Sequence, residues 1–316
     1  MKFTSILISL FFISTCFSQN PLNFGSNILT ADPSAHVWKD GKIYIYASHD
    51  EECQLDFWMK DWHVFSSSDL INWTDHGACL SVGDLSWADN FAWAPDAAYK
   101  NGKYYFCFPA GTGFKDRENP KNSTKWMGIG IAVSDSPTGP FKDAIGKPLW
   151  TEPYANDPCL FIDDDNKGYI YFNGGGDYLV AEMADDLLSV NGDLYKMDMG
   201  GYEPKREGPW VFKRNGMYYY TMPENNQILT YYTSNTPKGP WKYQGKIMDE
   251  ENASNNHHSI VEFNGQWVLF YHRWLDTDSE CNKKQRHICA EYLYFNNDGT
   301  IKPIERTEAG LSFKKI

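Results

Sequence analysis

Asp32, Asp96, Asp157, Glu207 and His257 recur along this 316-residue chain, each about one strand length ahead of a turn. Alone, each reads as an ordinary polar residue at the start of a strand. As a set in step with a repeat they read as a site, because a buried carboxylate without a partner costs several kcal/mol. Two carboxyl groups facing each other across a pocket can hydrolyse a glycosidic bond. One stays protonated and donates to the leaving oxygen, while the other is ionised and activates water. A third carboxylate beside the acid raises its pKa by like-charge repulsion. Asp32, Asp157 and Glu207 supply these three parts.

The elements that would position them repeat. Lys39-Asp40-Gly41-Lys42-Ile43-Tyr44-Ile45-Tyr46 returns as Lys100-Asn101-Gly102-Lys103-Tyr104-Tyr105-Phe106, with looser copies at Asp165–Phe172, Arg214–Tyr220 and Phe263–Phe270. Asn-Gly and Asp-Gly supply the positive φ of a tight hairpin turn. The aromatic and β-branched residues after each turn suit a half-buried strand. Five hairpins at intervals of roughly 50 to 65 residues, at or somewhat above the usual spacing of propeller blades, predict an all-β, five-bladed β-propeller with inserted loops. In a propeller the first strand of each blade lines the central axis, so five strands would carry these polar groups to one place. A second element repeats too: Ser134-Asp135-Ser136-Pro137-Thr138-Gly139-Pro140-Phe141 is matched by Ser234-Asn235-Thr236-Pro237-Lys238-Gly239-Pro240-Trp241. The pattern shows no sustained helical period; a short turn is expected near Ala184 to Leu188.

Met1-Lys2-Phe3, an apolar run from Ile6 to Ile13, and small residues before Gln19 form a secretory leader cut near Ser18. A lipid anchor on Cys16 is the competing reading, opposed by Thr15 before it. Residues 1–18 are thus expected as signal peptide and 19–316 as a single propeller domain, exported to the periplasm or beyond. No later run is long enough to span a membrane. The net charge of −12 argues against a nucleic acid or an acidic polymer as partner. Aromatics make up 16% of the chain, which fits strand packing and sugar binding alike. Cysteine spacing matches no zinc site. Cys107 and Cys159 read as small buried hydrophobes, and any disulfide is expected among Cys53, Cys281 and Cys289.

The ordered set Ala31-Asp32-Pro33-Ser34, Trp93-Ala94-Pro95-Asp96, Asn156-Asp157-Pro158, Glu207-Gly208-Pro209-Trp210, Asn256-His257-His258-Ser259, Tyr271-His272-Arg273 and Asn297-Asp298-Gly299-Thr300 resembles glycoside hydrolase family 43 over about residues 28 to 305. The resemblance implies a five-bladed propeller of inverting enzymes acting on carbohydrate. It implies Asp32 as general base, Glu207 as general acid, and Asp157 as the residue that raises and orients the acid. An inverting pair leaves roughly 6.5–9.5 Å between base and acid. His257 matches the family histidine near the centre, which in some members faces calcium or water. No cofactor is required, and Ca2+ at the centre is left open because calcium prefers oxygen ligands. Trp93 is read as an apolar wall for a sugar face, Arg286 as a sugar-binding arginine and His258 as a packed or substrate-edge group. Asp96 is expected to hydrogen-bond a turn.

The expected function is an exported, monomeric exo-glycosidase removing α-L-arabinofuranose or β-D-xylose, with galactan- or galactofuranose-active enzymes as the alternative inside the family. The loops His49 to Asp61, Gly111 to Lys125 and Leu275 to Gln285 are expected to wall the pocket. Outside the family stand a retaining fructan or sucrose hydrolase, whose Asn-Asp-Pro-Asn differs from Ala31-Asp32-Pro33-Ser34, and a propeller that binds glycans without catalysis.

Overall fold

The computed structural model describes residues 19–25, 27–51, 57–112, 126–150, 155–174, 176–201, 207–224, 228–249, 257–274 and 285–311. The leader, with Cys16, lies outside them, as do Cys53, Cys281 and the middles of the three predicted long loops.

The strands group into five antiparallel sheets. The first blade is β1 (Thr30–Val37), β2 (Ile43–His49), β3 (Asp61–Ser67) and β4 (Trp73–Ser81). The second is β5 (Asp96–Lys100), β6 (Lys103–Thr112), β7 (Trp126–Ser134) and β8 (Lys142–Asp143). The third is β9 (Ala155–Ile162), β10 (Gly168–Gly174), β11 (Asp177–Glu182) and β12 (Tyr195–Lys196). The fourth is β13 (Trp210–Arg214), β14 (Met217–Glu224), β15 (Ile228–Ser234) and β16 (Lys242–Met248), and the fifth is β17 (His258–Phe263), β18 (Gln266–Trp274) and β19 (Arg286–Leu293). Each inner strand neighbours the next: β1 with β5, β5 with β9, β9 with β13, β13 with β17, and β17 with β1 again. This closed ring of five sheets is the expected propeller. Asn101-Gly102, Asn215-Gly216 and Asn264-Gly265 each form a two-residue hairpin with both φ angles positive.

The middle strands are buried on both faces, not on one as the sequence pattern implied. Every blade is packed between two others, so alternation disappears. Tyr218 and Tyr220 of β14 meet Phe161 and Tyr171 of the third blade, while Tyr219 reaches Gly299 beyond β19. The repeated Pro-Gly-Pro turns join blades. Tyr46 donates to the Pro137 carbonyl at 2.6 Å, and Tyr171 donates to Pro237 at 2.6 Å. The residue closing each turn, Phe141 or Trp241, is buried, and its N–H donates to Cys79 or Asp198 of the preceding blade.

The fifth blade has three strands of its own. Its outer edge is met by the start of the described chain: the Leu22 N–H donates to Ile288, and Asn20 exchanges bonds with Ala290 through its side-chain amide.

Around the axis the repeat has a finer register than the spacing implied. The axis-facing position is Asp32, Ala94, Asp157, Gly208 and His257, which line one narrow cavity. Asp96 is therefore not in register with Asp32 and Asp157 but lies two residues further along, and Glu207 lies one residue before. At Asp96's level, Ser34, Asp96, Cys159, Trp210 and Ser259 form a belt of bonds from blade to blade. Ser34 donates to Asp96 at 2.6 Å, and Leu160 N–H donates to the other Asp96 oxygen at 2.6 Å. Val211 N–H donates to Cys159 Sγ, Trp210 Nε1 to the Ile260 carbonyl, and Ala35 N–H to Ser259. Asp96 thus ties three blades together instead of capping a turn.

Cys79, Cys107, Cys159 and Cys289 are buried free thiols, so Cys289 joins no disulfide. The Ala184–Leu188 segment is a turn closed by Leu187 N–H to Ala184 O. Among the described residues the only helical element is the 3-10 turn Val82–Asp84, capped by Ser81.

Asp96→Ala removes the acceptor for Ser34, His36 and the buried Leu160 N–H together. We expect it to lower unfolding free energy by at least about 2 kcal/mol, measured by denaturant titration. Cys159→Ser, which keeps an acceptor for Val211, should cost less.

Candidate active site

Asp32 and Asp157 come from the same local motif in different blades. Each precedes a proline, sits at a bulge in its inner strand, and has positive φ, 55° for Asp32 and 49° for Asp157. Proline lacks an N–H, so an interrupted ladder leaves no donor stranded there. Positive φ is uncommon outside glycine, though aspartate tolerates it better than most residues. Such strained backbone persists where surrounding structure enforces it and clusters at functional sites. In the fourth blade the corresponding Gly208 has φ 78°, and a Cβ there would stand 2.7 Å from the His257 ring. Glycine is required, which moves that blade's carboxyl one residue back, to Glu207.

Asp32 and Asp157 are both buried, and their neighbours set them apart. Arg286 Nη1 donates to Asp32 Oδ1 at 3.0 Å, and Ser48 Oγ donates to Oδ2. The His257 Nδ1 lies 3.3 Å from Asp32 Oδ1. Burial works against ionisation of Asp32, but Arg286, His257 and Ser48 outweigh it and lower its pKa to about 2. Asp157 makes no guanidinium ion pair like that of Asp32 with Arg286 among the described residues. Burial and the nearby Glu207 and Asp32 push it well above the ordinary carboxylate range, opposed in part by the Gly208 N–H. Glu207 is half-buried, and the Asn156 side-chain amide donates to its Oε2 at 3.1 Å. The His257 Nε2 lies 3.3 Å from Asp157 Oδ2, so an imidazole stands between the two aspartates.

These groups open onto a cavity of about 260 Å³, which Phe57, Met59 and Trp93 wall on its apolar side. Trp93 is held there by its Nε1, which donates to the Phe57 carbonyl at 2.8 Å. Phe57 and Met59 are the described part of the first expected loop wall.

Two expected substrate residues make contacts within the protein. Arg286 lines the cavity, but its guanidinium is committed to protein. Besides Asp32 it grips Asp50 with Nε and Nη2, at 3.0 and 2.8 Å, and it lies over the Phe57 and Trp274 rings. It holds the Asp32 carboxylate while it lines the cavity. His258 pairs its Nε2 with Thr221 at 2.6 Å and lines the narrow axial cavity, away from the larger one. The sequence reading missed Asp50, Ser48 and Asn156 as parts of this site. The available signal was polar residues, Ser48 and Asp50, ending an otherwise apolar strand.

The expected metal residue, His257, shares a cluster with Asp157 and Glu207 whose ligand atoms lie within 4.8 Å of one another. The axial cavity below is about 20 Å³, room for one water-sized occupant. Calcium takes six to eight oxygens. Asp32 is already engaged by Arg286 and Ser48, and the other lining groups are mostly proline, alanine and glycine. The remaining oxygens of a calcium shell would have to be water.

A carboxylate favoured in its ionised form, a buried aspartate favoured in its protonated form, a nearby glutamate and an apolar-walled cavity that all three line suit acid–base hydrolysis of a glycoside.

Comparison with known proteins agrees. Residues 19–301 match the model of glycosyl hydrolases family 43. A xylosidase/arabinosidase of Humicola insolens is 34% identical, the match covering 87% of this chain and 97% of that protein. A β-D-galactofuranosidase of Aspergillus niger is 30% identical, over 90% of this chain and 85% of its own. Among solved structures, a β-xylosidase/α-arabinofuranosidase from a compost metagenome, bound to xylotriose in a calcium-free form, superposes with a TM-score of 0.75 at 36% identity, covering 91% of this chain and 97% of its own. The chain is a glycoside hydrolase and belongs to family 43.

Proposed function

We propose that this protein is an exported, inverting exo-glycosidase that removes terminal α-L-arabinofuranosyl or β-D-xylosyl residues from oligo- or polysaccharide. The observation that carries the mechanism is the contrast between two buried aspartates: Arg286 and Ser48 donate to Asp32, which favours its ionised form, whereas burial beside Glu207 and Asp32 favours the protonated form of Asp157. In this reading Asp32 takes a proton from water as the water attacks the anomeric carbon. Glu207, less buried than Asp157, donates a proton to the departing oxygen. Asp157, beside Glu207, keeps its proton above the usual carboxylate range because it is buried next to other carboxyl groups. His257 lies between Asp32 and Asp157, and inversion requires that the base and the acid leave room for a water between them.

The cavity, about 260 Å³, is smaller than most ligand pockets and suits a single sugar ring more than a chain, which supports exo action. The named activities of the Humicola insolens and Bacteroides ovatus relatives support the choice of sugars. The Aspergillus niger relative favours β-D-galactofuranose as a second reading, a furanose with one more carbon on its side chain.

Aryl α-L-arabinofuranoside, β-D-xyloside and β-D-galactofuranoside assayed side by side should show turnover of one or both of the first two. Asp32→Asn and Glu207→Gln should each lower kcat by at least about 10²-fold, with circular dichroism unchanged. Proton NMR of the first product should show inversion; a retained anomer would refute Asp32 as base and Glu207 as acid of a single displacement.

The pH profile follows from the same charges. Activity needs Asp32 ionised, so the acid limb sits low. It needs a proton on the acid side of the site, where Asp157 is raised, so activity falls as pH rises above the carboxylate range. Asp157→Asn removes the carboxyl whose proton is held above the usual carboxylate range and should move the alkaline limb of kcat/KM to lower pH. Ser48→Ala removes a donor to Asp32 with little change in volume and should move the acid limb to higher pH. Limbs that stay fixed in both variants would contradict the assignment.

A further inference from the structure

Away from the cavity, on the face of the first blade that packs toward the fifth, three side chains converge. Asp61 and His63 alternate on one face of β3. His49, at the end of β2, lies across from Asp61, since Ser48 pairs with Trp62. The His49 Nδ1 is 2.7 Å from Asp61 Oδ1, and the His63 Nε2 is 3.7 Å from the same oxygen. The two imidazole centroids are 4.8 Å apart, and one ligand atom from each of the three residues falls within 4.8 Å of the others. All three are partly buried, at 14–29% side-chain exposure, so they are held by the fold while remaining open to a small ion.

The His63 ring is bracketed by acids. Its Nε2 faces Asp61, and its Nδ1 lies 3.6 Å from Asp75 Oδ1 on β4. A neutral imidazole has one N–H, so whichever tautomer forms, the other nitrogen turns a lone pair toward a carboxylate. A cation among His49, Asp61 and His63 removes that conflict. The proton then sits on Nδ1 facing Asp75, and the Nε2 lone pair faces the ion. A carboxylate behind a metal-bound histidine is the usual second support of such sites.

The geometry points to a divalent transition-metal site, of the zinc class, formed by His49, Asp61 and His63 with Asp75 behind His63. Two imidazoles and one carboxylate suit zinc and its neighbours, whereas calcium and magnesium select all-oxygen sets. At zinc–ligand distances of about 2.0–2.2 Å, tetrahedral donors stand roughly 3.3 Å apart. The 2.7 and 3.7 Å spacings in this cluster bracket that value, so small side-chain rotations close the site. Its fourth position would be water. The site adjoins the catalytic one through the strand end: Ser48 and Asp50, on either side of His49, hold Asp32 and Arg286.

The test uses the full chain stripped with a chelator, then titrated with ZnCl2 in competition with a chromophoric chelator. We expect one zinc per chain at micromolar affinity or tighter, a raised melting temperature, and no competition from CaCl2. Cobalt should give the intense visible bands of a tetrahedral site. His63→Ala and the more exposed His49→Gln should each abolish binding and the cobalt bands while the metal-free protein melts as wild type does. Asp75→Asn should weaken binding by about 10–100-fold and keep the bands. Millimolar binding, or binding unchanged in the histidine variants, would overturn the assignment. Should either variant fail to fold, Asp75→Asn and the other histidine decide the same question.

Discussion

Five sheets have to meet at one axis, and everything polar in this protein is arranged around that requirement. Where inner strands converge, backbone N–H groups of neighbouring blades are buried without a ladder partner between sheets, and a buried donor must be satisfied. The belt of Ser34, Asp96, Cys159, Trp210 and Ser259 answers this at one level with four kinds of group: Asp96, Cys159 and Ser259 accept from the Leu160, Val211 and Ala35 N–H groups, while the Ser34 hydroxyl and the Trp210 indole close the remaining seams. The residues two positions earlier are then left facing the axis. Alanine and glycine fill two of these five positions, so Asp32, Asp157 and His257 become mutual neighbours.

The contrast between Asp32 and Asp157 separates what backbone determines from what neighbours determine. The two share a following proline, a positive φ, a strand bulge and near-complete burial. Desolvation therefore raises both. What differs is the nearest charge: a guanidinium for one, two carboxyl groups for the other. In a low-dielectric interior a single opposite or like charge at contact distance moves a pKa by units, enough to give the same side chain opposite protonation states. Asp50 makes the arrangement durable. Gripped at two points, Arg286 keeps one nitrogen for Asp32 and cannot swing into the cavity without stranding a buried acid.

Much of this was legible before any coordinates. Asn-Gly turns fix local backbone, and the Ser-Asx-x-Pro-x-Gly-Pro-aromatic turn occurs twice because it makes the same cross-blade bond twice, so fold and blade count could be read from short-range chemistry. Asp32, Asp157 and Glu207 could be found because each sits beside a proline or glycine needed for its backbone. Asp96 was misplaced because its meaning depends on a two-residue offset, which spacing over 50 residues cannot resolve. Arg286 was read by its type alone; its pairing with Asp50 spans 236 residues and leaves no local trace. The half-buried reading of the middle strands failed for the same reason, since burial on the second face is supplied by a neighbouring blade.

The seam where the ring closes has a consequence for how the molecule comes into being. Asn20 bonds with Ala290 and Glu291 across a separation of 270 residues or more, and Leu22 pairs with Ile288. Blades one to four are each contiguous in sequence and can form as the chain emerges, but the segment at Asn20–Leu22 has no native partner until β19 has been made. Such long-range pairing is the slow part of folding, because the entropy of closing the loop is lost before any contact compensates. The earliest part of the domain to be synthesised is therefore among the last to find its place, and until it does, β19 presents an unpaired edge.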